Sequence, residues 1–158
     1  MAVRSAAKAI LYHNGKILLN ACRFSNGEVY YDFPGGGQDA YETLPDTIRR
    51  EVLEETGYDA EVGMLLALAE EIFTDPTMRR DFPQYCHRVS HFFLCTLKSE
   101  EQHAVTEKDT QQIESVWVTP AQADMLPVYP LVIRGKLSGL IASKSPQYLG
   151  CSYYEGML

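Results

Sequence analysis

Between Gly36 and Tyr58 the chain runs GGQDAYETLPDTIRREVLEETGY, a stretch whose punctuation fixes one helix and whose glutamates fix what that helix displays. Pro34 followed by Gly35, Gly36 and Gly37 predicts a loop, because glycine takes backbone angles closed to other residues. Thr43 is placed to cap a helix, Pro45 falls in its first turn where a missing N–H costs little, and Asp46 adds early negative charge. Gly57 ends it in the left-handed position that closes many helices. At about 100° per residue, Glu51 and Glu55 fall about 40° apart and Glu54 about 60° to the other side of Glu51, so three carboxylates share one face. Leu44, Ile48 and Val52 form a separate stripe that can pack on a sheet.

Three carboxylates at that density repel one another, and at least one is expected to hold its proton more tightly than a free glutamate does. A divalent cation relieves the conflict. Magnesium is the natural occupant, with manganese the alternative, since it prefers oxygen ligands and bridges carboxylates to substrate phosphates. Arg50 can fork onto neighbouring carboxylates, so Arg50 and Glu42 are read as supports.

The spacing G-x5-E-x7-R-E-V-x-E-E-x-G resembles the Nudix box at Gly36, Glu42, Arg50, Glu51, Val52, Glu54, Glu55 and Gly57. Tyr58 departs from it, standing where the family usually carries an aliphatic residue. The resemblance implies an α/β/α sandwich, a mixed sheet between helices, with the box as loop, helix and loop. It implies a metal site built from Glu51, Glu54, Glu55 and a carbonyl at Gly35 or Gly36, with magnesium or manganese as cofactor. It also implies hydrolysis of a nucleoside diphosphate linked to another moiety. Glu54 is the first candidate for the base and Glu51 the second catalytic candidate. Glu70, Glu71, Glu107 and Glu114, outside the box, are further candidates for a base or metal ligand. An ADP-ribose-like or nucleotide-sugar substrate ranks first, and a damaged or non-canonical nucleoside triphosphate second. The rivals are a nucleotide sensor that does not cleave, and an isomerase using Cys22.

At 158 residues and 46% hydrophobic, positions 1–158 make one domain. A net charge of -7 would repel a long nucleic acid but admits a small anionic nucleotide carried with a cation. Cys22, Cys86, Cys95 and Cys151 form no C-x-x-C pair and read as reduced core thiols. No apolar run approaches the roughly 20 residues of a membrane span, and a cytoplasmic location is the expectation.

Elsewhere, Asn14-Gly15 between two apolar runs predicts an antiparallel hairpin over residues 6–22, and Tyr30 to Phe33 a short strand. GMLLALAEEIF and QYCHRVSHFFLCTL read as long strands separated by a polar loop, TDPTMRRDF, that could overhang a site. A charged connection, KSEEQHAVTEKDTQQ, leads to the strand IESVWV and a brief helix opened by Thr119-Pro120. PLVIRGKLSGLIASK reads as a C-terminal helix weakened by Gly135 and Gly139. The aromatic-rich tail QYLGCSYYEGML suits docking on its own domain or on a second copy in a homodimer. Arg23, Arg79, Arg80 and Arg88 are candidates for substrate phosphates, and Tyr30, Tyr31, Phe33, Tyr85 and Trp117 for base stacking. His87 and His91 would lie about 13 Å apart along a strand, too far to share a zinc ion.

Overall fold

The structure, a computed structural model, describes residues 2–156. The first hairpin joins β1 (Arg4–His13) to β2 (Lys16–Arg23), and its turn residues Asn14 and Gly15 have φ of 49° and 76°. Two positive φ angles in succession are what a tight right-twisted hairpin requires, so the Asn-Gly pair sets this register. Next come β3 (Val29–Asp32), β4 (Gly35–Gly37) and helix α1 (Leu44–Thr56). The two long strands are β5 (Tyr58–Phe73) and β6 (His87–Gln102), followed by β7 (Gln112–Val118). Four of these segments differ from the sequence reading. The glycine run is itself a strand, β4, lying antiparallel on β1. The polar stretch after β5 folds as helix α2 (Pro76–Asp81), capped by Asp75 through its bond from Met78 N at 2.7 Å. Residues Lys98 to Gln102 of the charged connection continue β6. The expected C-terminal helix breaks at Gly135, whose φ of 72° no right-handed helix contains, leaving a 3-10 turn (Leu131–Ile133) and α4 (Leu137–Ser143). The brief helix at Thr119-Pro120 is α3 (Pro120–Ala123).

The aromatic tail forms β8 (Gln147–Tyr154), running parallel to β5, so it docks on its own domain. Strands follow the order β3, β2, β1, β6, β5, β8, with β4 added to β1 and β7 to β2. The sheet is mixed: β1 runs parallel to β6, and β6 antiparallel to β5. Alternation along β1 feeds two cores. Ala7, Ala9 and Leu11 meet Ile48 and Val52 of α1 on one face. Ile10 and Phe92 meet Ala123, Ile133, Leu137 and Leu140 on the other. The result is the expected α/β/α sandwich, with α1 on one side and α3 and α4 on the other. Ile48 and Val52 are fully buried, and each contributes roughly 1.5–3 kcal/mol to holding α1 in place. Among the described residues no helix is long and apolar enough to cross a membrane.

Candidate active site

Helix α1 begins with a capping box: Asp46 N donates to Thr43 Oγ1 at 3.2 Å, and Thr43 N donates to Asp46 Oδ2. It ends at Gly57, φ 78°, whose N–H returns to Leu53 O. With the apolar stripe buried, its other side carries the acidic cluster, and Arg50 stands at the centre. Arg50 Nε and Nη2 donate to the two oxygens of Glu42 at 2.8 and 3.0 Å, and Nη1 donates to Glu51 Oε1 at 2.8 Å. Glu54 lies 3.6 Å and Asp39 3.5 Å from the same guanidinium. Hydrogen bonds from Arg50 foremost hold the Glu42 carboxyl down at about 2, with burial opposing and the Thr47 hydroxyl assisting. Glu42 in turn raises the Arg50 pKa. This is the forked support the spacing predicts.

Glu55 sits deeper, only 7% exposed, and its Oε2 accepts from Asn20 Nδ2 at 3.0 Å and from Gly35 N at 3.2 Å. Burial pushes its pKa up to about 8, against the pull of Lys8 and the Gly35 N–H, while Glu51 and Asp32 push further upward. Glu54 is also raised, by burial first and then by Glu51. Two of the three box carboxyls thus hold protons more readily than a free glutamate, but desolvation rather than mutual repulsion is the leading cause. That cause is invisible in helical spacing.

Gly36 faces this cluster closely: a Cβ there would stand 2.5 Å from Glu51 Oε1. Gly35, at φ 143°, has no room either, since its Cβ would collide with the Ala7 carbonyl. Glycine is therefore required for close approach at one position and for conformation and packing at the other. The segment at residues 103–111 closes the far side, tied to α1 by Thr106 N and Glu107 N donating to Glu54 O at 3.2 and 3.1 Å. Together these elements enclose a cavity of about 460 Å³ lined by Gly35 to Gly37, Arg50, Glu51, Glu54, Glu55 and Glu107. Among the described residues no three acidic, histidine or cysteine side chains stand close enough to chelate an ion as they are placed. Each box carboxylate is instead turned to a protein cation or N–H donor: Glu51 and Glu54 to Arg50, Glu55 to Asn20 and Gly35.

A second, smaller cavity of about 190 Å³ adjoins the first at Asp109, with Lys8, Asp32, Glu71, Arg88, Tyr30, Tyr85 and Tyr129 in its walls. It brings Arg88 and Glu71 together with the aromatic candidates Tyr30 and Tyr85. Arg23, Arg79 and Arg80 line neither cavity: they bond Gly27 O, Phe73 O and Asp81 respectively. Glu114 lies on β7 outside both, and Glu70 is held by His87 and Tyr148. Phe33 is core against Phe92, and Trp117 packs on Tyr58. His91 bonds the Ala6 carbonyl, so the two histidines serve separate partners. Cys22 lines neither cavity, and burial pushes its thiol up to about 12. Sequence reading passed over Lys8, Asn20 and Asp32. The signal was present for two of them: Lys8 and Asn20 are lone polar residues inside apolar strands, AAKAIL and ILLNAC, where burial without a partner is costly.

No curated protein sequence matches the chain. Among solved structures it is similar to a mutator MutT protein from Bacillus halodurans, with a TM-score of 0.68 at 18% identity over 97% of this chain and 91% of that one. An ADP-ribose pyrophosphatase from Streptococcus suis gives a TM-score of 0.59 at 22% identity, covering 96% and 99%. A UDP-X diphosphatase gives 0.65 at 20% identity, covering 96% of this chain and 68% of that one. At such identities these likenesses speak for the fold. Residues 2–134 match the model of the NUDIX domain, and on that match the chain belongs to the Nudix family, hydrolases acting on phosphoric anhydrides.

Proposed function

We propose that the protein hydrolyses the pyrophosphate bond of a nucleoside diphosphate joined to a second moiety, of the nucleotide-sugar or ADP-ribose class, with a divalent cation. The observation that carries this reading is the convergence of Glu51, Glu54, Glu55 and the close-approach Gly36 on one cavity. The donor set fits a hard cation, being all oxygen and anionic, and Glu51, Glu54, Glu55 with a carbonyl of Gly35 or Gly36 would hold it. When bound, such an ion neutralises phosphate charge as the anhydride breaks. Arg50 keeps Glu51 and Glu42 oriented through its fork. Glu54 is the base: it faces the same cavity, receives no hydrogen bond from Arg50, and stands 3.6 Å from it. Burial first and then Glu51 raise its proton affinity above that of a free carboxylate, which makes it the stronger base. The adjoining cavity, walled by Tyr30, Tyr85 and Tyr129, takes the nucleoside.

The test is a magnesium-dependent hydrolysis screen over ADP-ribose, GDP- and UDP-sugars, dinucleoside polyphosphates and nucleoside triphosphates, with products identified by mass. Cleavage of a nucleoside diphosphate conjugate by wild type and not by Glu55→Gln is the expected result. Silence across the panel with nucleotide binding retained would point to a sensor instead.

A further inference from the structure

Seven of the eight arginine side chains donate to a carboxylate or carbonyl oxygen of the protein. Arg4, the first residue of β1, is the exception: among the described residues its guanidinium makes no hydrogen bond and no ion pair. Its place is nevertheless closely defined. The side chain is half-buried, and Cζ stands over the Tyr85 ring at 5.0 Å from the centroid. On its other side Nη2 lies against Gly37, where a Cβ would collide with it. Glycine at 37 therefore gives the guanidinium its seat, as glycine at 36 gives Glu51 room. Successive residues of a strand face opposite ways, so β4 has a carboxylate on one side and a free cation on the other, with only backbone between.

The surroundings supply no anion for it. Arg4 is the register partner of Arg88 on β6, and Arg88 is already paired with Glu71. Two guanidinium groups on neighbouring strands repel each other. The carboxylates that share a cavity wall with Arg4 are engaged by another cation: Glu42 and Glu51 each lie 2.8 Å from Arg50, and Asp39 3.5 Å. Arg4 thus keeps five N–H donors in a flat fork, a shape that fits two oxygens of a phosphate. It also stands where such a group would pass. Arg4 and Gly37 line the larger cavity with the box glutamates, while Tyr85, beneath the guanidinium, lines the smaller one. A diphosphate spreads its charge over several oxygens, so a cation on the glutamates and an arginine beside them can each take a share.

We propose that Arg4 binds the diphosphate of the substrate, its forked N–H donors meeting non-bridging oxygens where the substrate passes from the glutamate face toward the nucleoside cavity. The proposal rests on the functional reading above only in taking a diphosphate as the group bound. It sets Arg4 apart from Arg50, whose donors are spent on holding the glutamates.

The test is calorimetric titration of the whole protein, at fixed free magnesium, with methylenediphosphonate, a diphosphate analogue that carries no base and whose CH2 bridge water cannot cleave. Arg4→Gln should weaken its binding about ten- to a hundred-fold, the loss expected of hydrogen bonds between charged groups. Arg4→Lys keeps the charge without the fork and should weaken it about three- to tenfold. Magnesium titrated alone should bind Arg4→Gln as it binds wild type, and the melting temperature should change little, since the guanidinium makes no hydrogen bond within the protein. Arg80→Gln, on an exposed arginine outside both cavities, should stay within about twofold of wild type. No binding of the diphosphonate by wild type, an affinity within twofold of wild type in Arg4→Gln, or an equal loss of magnesium affinity in that variant would overturn the proposal. Should Arg4→Gln not fold, Arg4→Lys decides, and unchanged affinity there overturns the forked contact. Diphosphonate binding that depends on Arg4 without any hydrolysis in the wider screen would sink the proposed reaction and leave this inference standing. Hydrolysis in the screen with binding untouched by Arg4→Gln would do the reverse.

Discussion

The two cavities that meet at Asp109 handle buried charge in opposite ways. In the larger one every box carboxylate already faces a cation or an N–H of the protein, and Arg50 alone serves Glu42, Glu51 and the Gly37 carbonyl. In the smaller one Arg88 spends two donors on a single oxygen of Glu71. The first arrangement keeps a cluster of like charges apart, each against a donor of the protein. The second pairs its guanidinium with one carboxylate between aromatic walls. Damage to the first should therefore appear in turnover, and damage to the second in substrate choice.

The largest expected effect is Glu55→Gln. It replaces an ionisable carboxyl of the proposed metal face by an amide of the same shape, and turnover should fall by about two orders of magnitude or more, the loss of a direct ligand exceeding the 10–100-fold typical of its supports. Folding should persist, because a neutral side chain suits a site that already favours the protonated carboxyl. Single-turnover kinetics beside a thermal melt checks both halves, and wild-type turnover in this variant would remove Glu55 from the site.

Next in size is a pair of glycine substitutions that separates function from packing. Gly36→Ala puts a methyl 2.5 Å from the Glu51 carboxylate, a flexible side chain that can turn aside, so activity should drop about 10–100-fold with little change in melting temperature. Gly35→Ala meets backbone at Ala7 and a φ of 143°, so stability should fall by about 1–3 kcal/mol or more. Urea denaturation and initial rates on both variants check this contrast, and the reverse pattern would break it.

These effects also explain what could be read in advance. Capping at Thr43, closure at Gly57, the buried stripe of Ile48 and Val52 and the acidic face all lie within 15 consecutive positions, where helical geometry alone relates one residue to another. The smaller cavity draws on β1, β3, β5, β6 and the segment around Tyr129, brought together by sheet register. No local pattern ties Glu71 to Arg88. Desolvation of Glu55 has the same origin, since Asn20 and Gly35 reach it from other strands. The tail was legible as something that docks but not as a strand, because β8 interrupts its alternation with Gly150 and needs β5 as template.

A smaller, graded effect is expected from pH. Glu55 rises from its ordinary 4.5 to about 8, so the folded protein holds a proton there that the unfolded chain releases. Without divalent cation, its contribution to stability is full below about 4.5 and is lost as pH rises toward 8. Glu42 has the opposite sign in a separate window, its contribution being full above 4.5 and lost as pH falls toward about 2. Cation binding must displace the Glu55 proton, so apparent magnesium affinity should weaken by about tenfold per pH unit below 8, and activity should fall on acidification less steeply at saturating magnesium. Melting curves and magnesium titrations from pH 5 to 9 test this, and an affinity flat with pH would show that Glu55 is not a ligand.

The smallest effect tests the boundary of both cavities. Arg79 and Arg80 sit on α2, where Arg79 Nε donates to Phe73 O at 2.8 Å and Arg80 pairs with Asp81 at 2.7 Å. Arg80 is 72% exposed, and such a surface pair contributes little to stability. Arg80→Ala should leave kcat/KM within about twofold of wild type, in line with surface substitutions generally. Arg79→Ala should lower the melting temperature slightly through its lost carbonyl bond, with the same near-neutral effect on catalysis. A tenfold rise in KM for either variant would mean that α2 closes over the bound substrate, extending the smaller cavity beyond the walls it has here.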